Sequence, residues 1–210
     1  MPPEAAGHWR AELELWFEAR ANETYLSRRR HYGPLTIQRP FYPEADGTAH
    51  VYVLHPPGGV VGGDTLKSAY HVGAGARALL TTPGATKFYR SLGGVGRQDI
   101  VVDVGRGAIC EHLPQETILY DGAIATLDTR VRLAPDAVYV GWDLVSLGRP
   151  AAGEAFLNGC MRHRVVVTRD ERPIWYERTT LDGGSELYDA AFAFGGRPIF
   201  GVMIYAGPPR

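Results

Sequence analysis

The sequence has little cysteine: Cys110 and Cys160 are the only thiols in 210 residues. They form no Cys-x-x-Cys pair, and nothing histidine-rich lies beside either, which excludes the usual structural zinc spacings. Both read as small apolar residues of a reducing compartment. An excess of charge of either sign is also missing, since 22 Lys and Arg against 23 Asp and Glu leave a net charge of −1. No basic field announces nucleic acid or a membrane as partner. A near-neutral surface does little to oppose self-association, which suits a protein working inside a complex. No apolar run approaches the ~20 residues that a membrane-spanning helix needs. Met1-Pro2-Pro3-Glu4 lacks a basic region followed by an apolar stretch, so it does not read as a signal peptide. The expectation is a cytoplasmic protein.

The familiar enzyme signatures are absent too. No GxxxxGK[ST] motif occurs, and Thr82 to Lys87 has Gly and Lys at the wrong spacing for a phosphate loop. There is no GxGxxG opening a helix, no GxSxG elbow and no HExxH. His50 and His55 are five apart on one strand, so they point to opposite faces and cannot chelate one metal by themselves. Cys110-Glu111-His112 sets a thiol two residues from a base. Neighbours on a strand alternate sides, so the thiol and imidazole are expected not to meet without a kink, and the core-thiol reading is the commoner one.

What the chain does have is alternation punctuated by glycine and proline. Ala11, Leu13, Leu15 and Phe17 alternate with Glu12, Glu14, Trp16 and Glu18, a period of two that predicts a half-buried strand despite the helix-favouring composition. Tyr25 and Leu26 belong to the returning strand, and Arg28 to His31 read as its solvated end. Further strands are predicted at 35–38, 50–55, 67–72, 77–82, 98–104, 108–113, 124–133, 137–147, 162–169, 173–181 and 197–205. The segments 67–72 and 77–82 look like a hairpin around Gly73 to Ala76, and the later strands continue as a meander. In Arg162 to Arg169, Arg162, Arg164 and Val166 share one face and His163, Val165 and Val167 the other. Short helical stretches are expected at 154–158 and 186–194. Strand signals every eight to twelve residues or so argue for an all-β fold, and no linker or solenoid-type sequence repeat divides residues 1–210.

The chain is organised around His50 to Lys87. Pro57-Gly58 and Pro83-Gly84 both fit type II turns. Gly62-Gly63 suggests a bulge or a close backbone approach, and Asp64 follows it. Asp64 either hydrogen-bonds its own turn or presents a carboxylate at a constrained spot. The carboxylates Asp64, Glu111, Glu116, Asp121, Glu154 and Glu177 lie in or beside apolar strands. Each must be paired, for example with Arg90, Arg149, Arg162 or Arg178, or bind a cation. Two functions compete for the remainder. Glu111 and Glu116 could be the carboxylate pair of an all-β carbohydrate hydrolase. Alternatively, carboxylates and scattered histidines without a strong thiolate or multi-histidine site suit passage of a divalent cation, bound well enough to enter and weakly enough to leave.

Two segments, HPPGGVVGGDTL (55–66) and LLTTPGATKFYRS (79–91), resemble signatures of the UreD (UreH) family of urease accessory proteins. Gly33 to Thr36 with Pro40 to Glu44, Glu111 to Ile118, and Leu147 to Pro150 with Gly153-Glu154 agree in the same order. The resemblance runs to about Gly201. Family members continue for several tens of residues beyond this point, so a C-terminal portion is expected to be missing. The resemblance implies a single all-β domain of stacked, helically wound sheets with one or two short helices. It implies a non-enzymatic scaffold that binds apo-urease and recruits UreF and, through UreF, the GTPase UreG, to deliver nickel to the urease active site. No cofactor is held tightly, and nickel is in transit through an internal tunnel. On this reading Asp64, Glu111, Glu116 and Glu177 are the candidate nickel path, with His55 and His112 as helpers. Lys87, Phe88, Tyr89 and Arg90 are candidates for a partner interface, with core packing the alternative for Phe88 and Tyr89.

Overall fold

The structure, a computed structural model, describes residues 8–208; Met1 to Glu4, read above for a signal peptide, lie outside them. Ala11, Leu13, Leu15 and Phe17 are buried, as the period of two requires. They form one face of β1 (Arg10–Arg20), which returns through β2 (Glu23–Tyr32) as an antiparallel pair. The short β3 (Thr36–Ile37) pairs antiparallel with β4 (Ala49–Leu54).

From β4 onward the chain winds. β5 (Thr65–Val72) lies in one sheet, and β6 (Arg77–Thr81) and β7 (Thr86–Phe88) in the other. β8 (Gly96–Val104) returns to the first sheet, and β9 (Ile109–His112) and β10 (Thr117–Leu119) to the second. β11 (Ile124–Leu133) and β12 (Val138–Leu147) repeat the circuit. β13 (Cys160–Arg169) completes the stack, with β14 (Arg172–Asp182) as its hairpin partner and β15 (Ile199–Ala206) antiparallel to β12. The first sheet has the order β14-β13-β11-β8-β5-β1-β2, and β1, β5, β8, β11 and β13 run parallel through it. The result is a β-solenoid of about 4 turns. Its core fills the space between the sheets, from Leu13 and Phe17 through Val51, Leu80, Val102 and Leu119 to Leu147 and Met161.

The winding corrects one local expectation. Residues 67–72 and 77–82 are not a hairpin: Gly73 to Ala76 carry the chain around a corner into the other sheet, and β5 pairs with β1 and β8. The corners stack through Gly75 N–H to Arg106 O (2.8 Å) and Gly105 N–H to Val72 O (2.8 Å). The same holds for the supposed meander of 98–113 and 124–147. Turn chemistry reverses the chain equally well into a neighbouring strand or an opposite sheet, and alternation is identical in both.

The helical content also sits elsewhere than expected. Among the described residues it is one 3-10 turn, Pro150–Ala152. Glu154 forms a bridge with Arg149, and 186–194 is a run of turns. A segment this short does not offset the cost of helix nucleation unless packing holds it, and Leu187 and Phe192 are exposed.

Candidate functional site: a polar cavity behind stacked proline kinks

Three of the motif segments occupy equivalent places in successive coils. In each, proline removes a ladder donor and breaks the strand of the second sheet. The first break is His55-Pro56-Pro57-Gly58, where Gly58 N–H donates to His55 O at 2.9 Å. Pro56 and Pro57 hold the central positions and Gly58 closes the turn at φ 77°, so the turn starts one residue earlier than expected and Pro57-Gly58 is not the centre of a type II turn. The second is Thr82 to Ala85, between β6 and β7. Gly84 is not among the positive-φ glycines, so Pro83-Gly84 is a bend and not a type II turn. The third is Leu113 to Glu116, between β9 and β10. The second and third breaks are stitched together: Thr81 Oγ1 donates to Leu113 O (2.6 Å) and Gln115 N–H to Thr82 Oγ1 (2.9 Å). Trp142 of β12 continues the stack, its indole N–H donating to Pro114 O at 2.7 Å.

Behind the kinks lies a cavity of about 380 Å³ between the sheets. Pro56, Pro83, Pro114 and Gln115 border it on one side, and β5, β8 and β11 on the other. A volume of this size has room for roughly a dozen waters at ~30 Å³ each. Its polar lining includes Ser68, Tyr70, Gln98, His112, Thr117, Thr129 and Asp143. Gln98 Oε1 is buried and has no protein partner, so it favours a wet interior.

The electrostatics follow from burial. His112 is pushed down to about 4 by desolvation, against the opposing pull of the Asp143 carboxylate, so it is a neutral imidazole at pH 7. Its ring tilts against that of Tyr70, 5.9 Å between centroids. The Tyr70 hydroxyl is pushed up to about 12 by burial and stays protonated. Burial also lowers His55, opposed by the charge of Asp64. Asp143 accepts from His163 Nε2 at 2.9 Å, and His163 is fully buried with Nδ1 lacking a protein partner. The arrangement offers neutral imidazole, hydroxyl, amide and the Asp143 carboxylate to a hydrated cation; Asp128, which also borders the cavity, is taken up by Arg130 and Arg164, and Lys87 stands on the kink side as an opposing positive charge. Among the described residues no group of three or more His, Cys, Asp or Glu is placed to hold a metal ion.

The chain matches the family described as "UreD urease accessory protein" over residues 9–210. It belongs to the UreD family. It is 58% identical over 200 residues to urease accessory protein UreD 2 of Brucella anthropi, covering 95% of this chain and 73% of that protein. It is 47% identical to UreD of Azoarcus sp. over 94% of this chain and 70% of the relative. For UreD of Dechloromonas aromatica the figures are 45%, 98% and 72%. The chain thus spans about seven-tenths of the length of these relatives. UreD membership supports a role in urease maturation, and these relatives are named as accessory proteins.

In this UreD chain the sequence-predicted residues fall in different places. His55 and His112 line the cavity. Asp64 is buried in the turn 61–64, where Oδ1 accepts Trp9 N–H (2.8 Å) and Oδ2 accepts Val61 N–H (3.0 Å). The adjacent glycines are required: a Cβ on Gly62 would strike Gly94 O and Ser91 Oγ, and Gly63 has φ 96°. Cys110 and His112, two apart on β9, share its inner face and do not point to opposite sides as expected, and Glu111 between them lies on the outer face. Glu116 precedes β10, one step out of phase with the buried Thr117. Neither glutamate lines the cavity. Glu177 pairs in register with the inward Val165 on the edge strand β14. Phe88 is core. Tyr89 packs edge-on to Tyr120 at 4.9 Å, and Arg90 meets Asp121 at 3.3 Å.

Asp143, Tyr70 and Gln98 were missed, and so was the role of His163. The signal for two of them was parity. His163 shares a strand face with Val165 and Val167, and Asp143 falls in step with Tyr139 and Val145. An ionisable group on the apolar face of a strand marks a buried polar site.

Proposed function

We propose that this UreD protein is a urease maturation factor that binds apo-urease, recruits UreF and through it the GTPase UreG, and passes nickel to the urease active site through its inter-sheet cavity. It acts in the cytoplasm as a scaffold and conduit, with nickel as cargo. The observation that carries the reading is the polar cavity behind the stacked kinks, formed by the segments through which the chain resembles its family. Imidazole suits Ni²⁺ better than carboxylate does, and a thiolate would hold it too long. Cys110 is fully buried, and burial pushes its thiol up, which keeps it out of that role. His112 and Asp143 give two weak stations inside the cavity. Asp64, Glu111, Glu116 and Glu177 remain candidates for the approach and exit. Lys87 to Arg90, at the corner beside the first kink, are candidates for a partner contact. Glu111 and Glu116 do not line the inter-sheet cavity, so the glycosidase reading gains no support from it.

The test is deletion in the native host, followed by urease activity and the nickel content of purified urease. The expected result is normal urease protein that is nickel-poor and inactive. Complementation with His112→Ala or Asp143→Asn should restore less nickel than wild type does. Full activity with normal nickel in the deletion strain would overturn the maturation reading. Full rescue by both variants would overturn the conduit. Unchanged transfer by Asp64→Ala, Glu111→Gln, Glu116→Gln or Glu177→Gln removes that residue from the path.

A further inference from the structure

The outer face of the first sheet changes character from one side to the other. On β1 and β5, Glu12, Glu14, Lys67 and His71 mix both signs. On β11, β13 and β14 the outward positions are dominated by arginine. The stacked register sets Asp128 beside Arg164 and Arg164 beside Arg178, with Thr126 beside Arg162 one row away. Arg130 and Arg132 stand on β11 itself. Asp128 lies inside this field, Asp99 and Asp103 of β8 border it in register with Asp128 and Arg132, and Asp182 stands at the far end of β14.

Three of the guanidiniums, those of Arg130, Arg132 and Arg164, are pre-organised by carboxylates. Asp128 is almost fully buried and takes a two-pronged contact from Arg130 (2.9 and 3.2 Å) and a further one from Arg164. Arg132 is held by Asp103 in the same way. Arg162 and Arg178 are exposed and form no ion pair among the described residues. In the same outward row as Arg178, β14 shows Tyr176, 59% exposed and paired in register with the outward Val166. Neighbouring strands are ~4.8 Å apart, so the cations stand in adjacent rows.

We infer that this face docks a carboxylate-rich strip on a folded protein, and, resting on the maturation reading above, that this partner is apo-urease. Three features favour a protein over a polyanion. Arginine forks fit carboxylates two bonds at a time, and the chain's only lysines, Lys67 and Lys87, lie outside the patch. Arginine with exposed tyrosine is the composition of protein interfaces. Among the described residues the face is strand alone, with no amphipathic helix to lie in a lipid surface and no row of aromatic side chains on β11 and β13 for bases to stack on. Arg130, Arg132 and Arg164, already held by carboxylates, lose little freedom on docking, and Arg162 and Arg178, which make no ion pair among the described residues, are the cations left to meet the partner.

The test is binding of the purified chain to apo-urease from a nickel-free culture, at low and moderate salt. The variants are Arg162→Glu with Arg178→Glu, the same pair changed to Lys, and Arg20→Glu with Arg39→Glu as a control elsewhere. The expected result is affinity that falls with salt, weakens by about tenfold or more on reversal of a complementary field, and is largely kept by the lysine pair and the control. Thermal midpoints should match wild type, because neither reversed residue is buried. Equal binding by wild type and the reversed pair overturns the face and leaves the maturation reading standing. No binding by wild type overturns the docking assignment, while the deletion strain's nickel content judges maturation separately. Arginine-dependent capture of a DNA duplex or of phosphatidylserine vesicles, with urease binding unaffected, would overturn the protein partner in favour of a polyanion.

Discussion

At the scale of single residues, burial decides what each polar group can do. His112 takes a proton near its ordinary 6.5 when unfolded but only at about 4 when folded. Between those values the unfolded chain binds more protons, so stability rises with pH across that window. The His112 contribution is whole above pH 6.5 and is lost as pH falls toward 4. At 1.36 kcal/mol per pKa unit it is worth up to roughly 3 kcal/mol. Urea unfolding at a series of pH values should show this slope in wild type and a flatter one in His112→Gln. An unchanged slope would mean that the imidazole is not the titrating group. Asp64 shows the other outcome of burial. Both of its oxygens are occupied by backbone donors, as the turn-capping reading of its sequence context had it. Asp64→Ala orphans the amides of Trp9 and Val61 and should cost about 1–3 kcal/mol, measurable as a lowered urea midpoint. Stability and nickel transfer therefore have to be read separately for this residue. The turn role was legible from Gly-Gly-Asp alone. The partner at Trp9 was not, because nothing local marks a contact 55 residues away.

At the scale of elements, strand existence was legible and strand pairing was not. Period-two alternation depends only on which face is buried; β4 and β13 show it at every inward position, and β1 from Ala11 to Phe17. Pairing depends on where the chain goes after the turn, so the corner at Gly73 to Ala76 passed for a hairpin. The proline kinks were legible as strand breaks, but their stacking needs the length of a coil, which no motif states. Arg169 is a further element-level tie. It points inward from β13 and its guanidinium reaches the carbonyls of Ala134, Pro135 and Ala137 (2.7–3.1 Å) and of Ala206 and Gly207 (3.2 and 2.8 Å). One side chain thus fixes the corner before β12 and the end of β15. Arg169→Met should leave those carbonyls without donors and cost about 2–4 kcal/mol. Hydrogen exchange should rise along Ile199–Ala206 before it rises elsewhere. Lysine lacks the fork to reach both groups and should restore less than half of the loss. Uniform protection across the two variants would show that strand pairing with β12 alone holds β15.

At the scale of the whole molecule, the solenoid explains both the interior and its exposed margins. Each coil covers the one before it, so a strand is sheltered only if a further strand lies beside it. β14 and β15 pair on one edge only among the described residues. Trp175 and Ile174 of β14 and Ile204 and Tyr205 of β15 border one groove, and Met203 and Tyr205 are 70% and 72% exposed. Two unpaired strand edges beside exposed apolar side chains are a template for further pairing. A net charge of −1 adds little repulsion. The purified chain should therefore self-associate reversibly, its weight-average mass in sedimentation velocity rising along a dilution series. Trp175→Lys with Met203→Lys places charge on both margins without touching the core, and it should return the chain to monomer at the same concentrations while leaving its unfolding midpoint unchanged. A wild-type chain that stays monomeric throughout would show that twist at the margins already closes these edges. Association that survives the double change would move the contact to the stacked-loop corner, where Leu92 and Leu157 are also exposed.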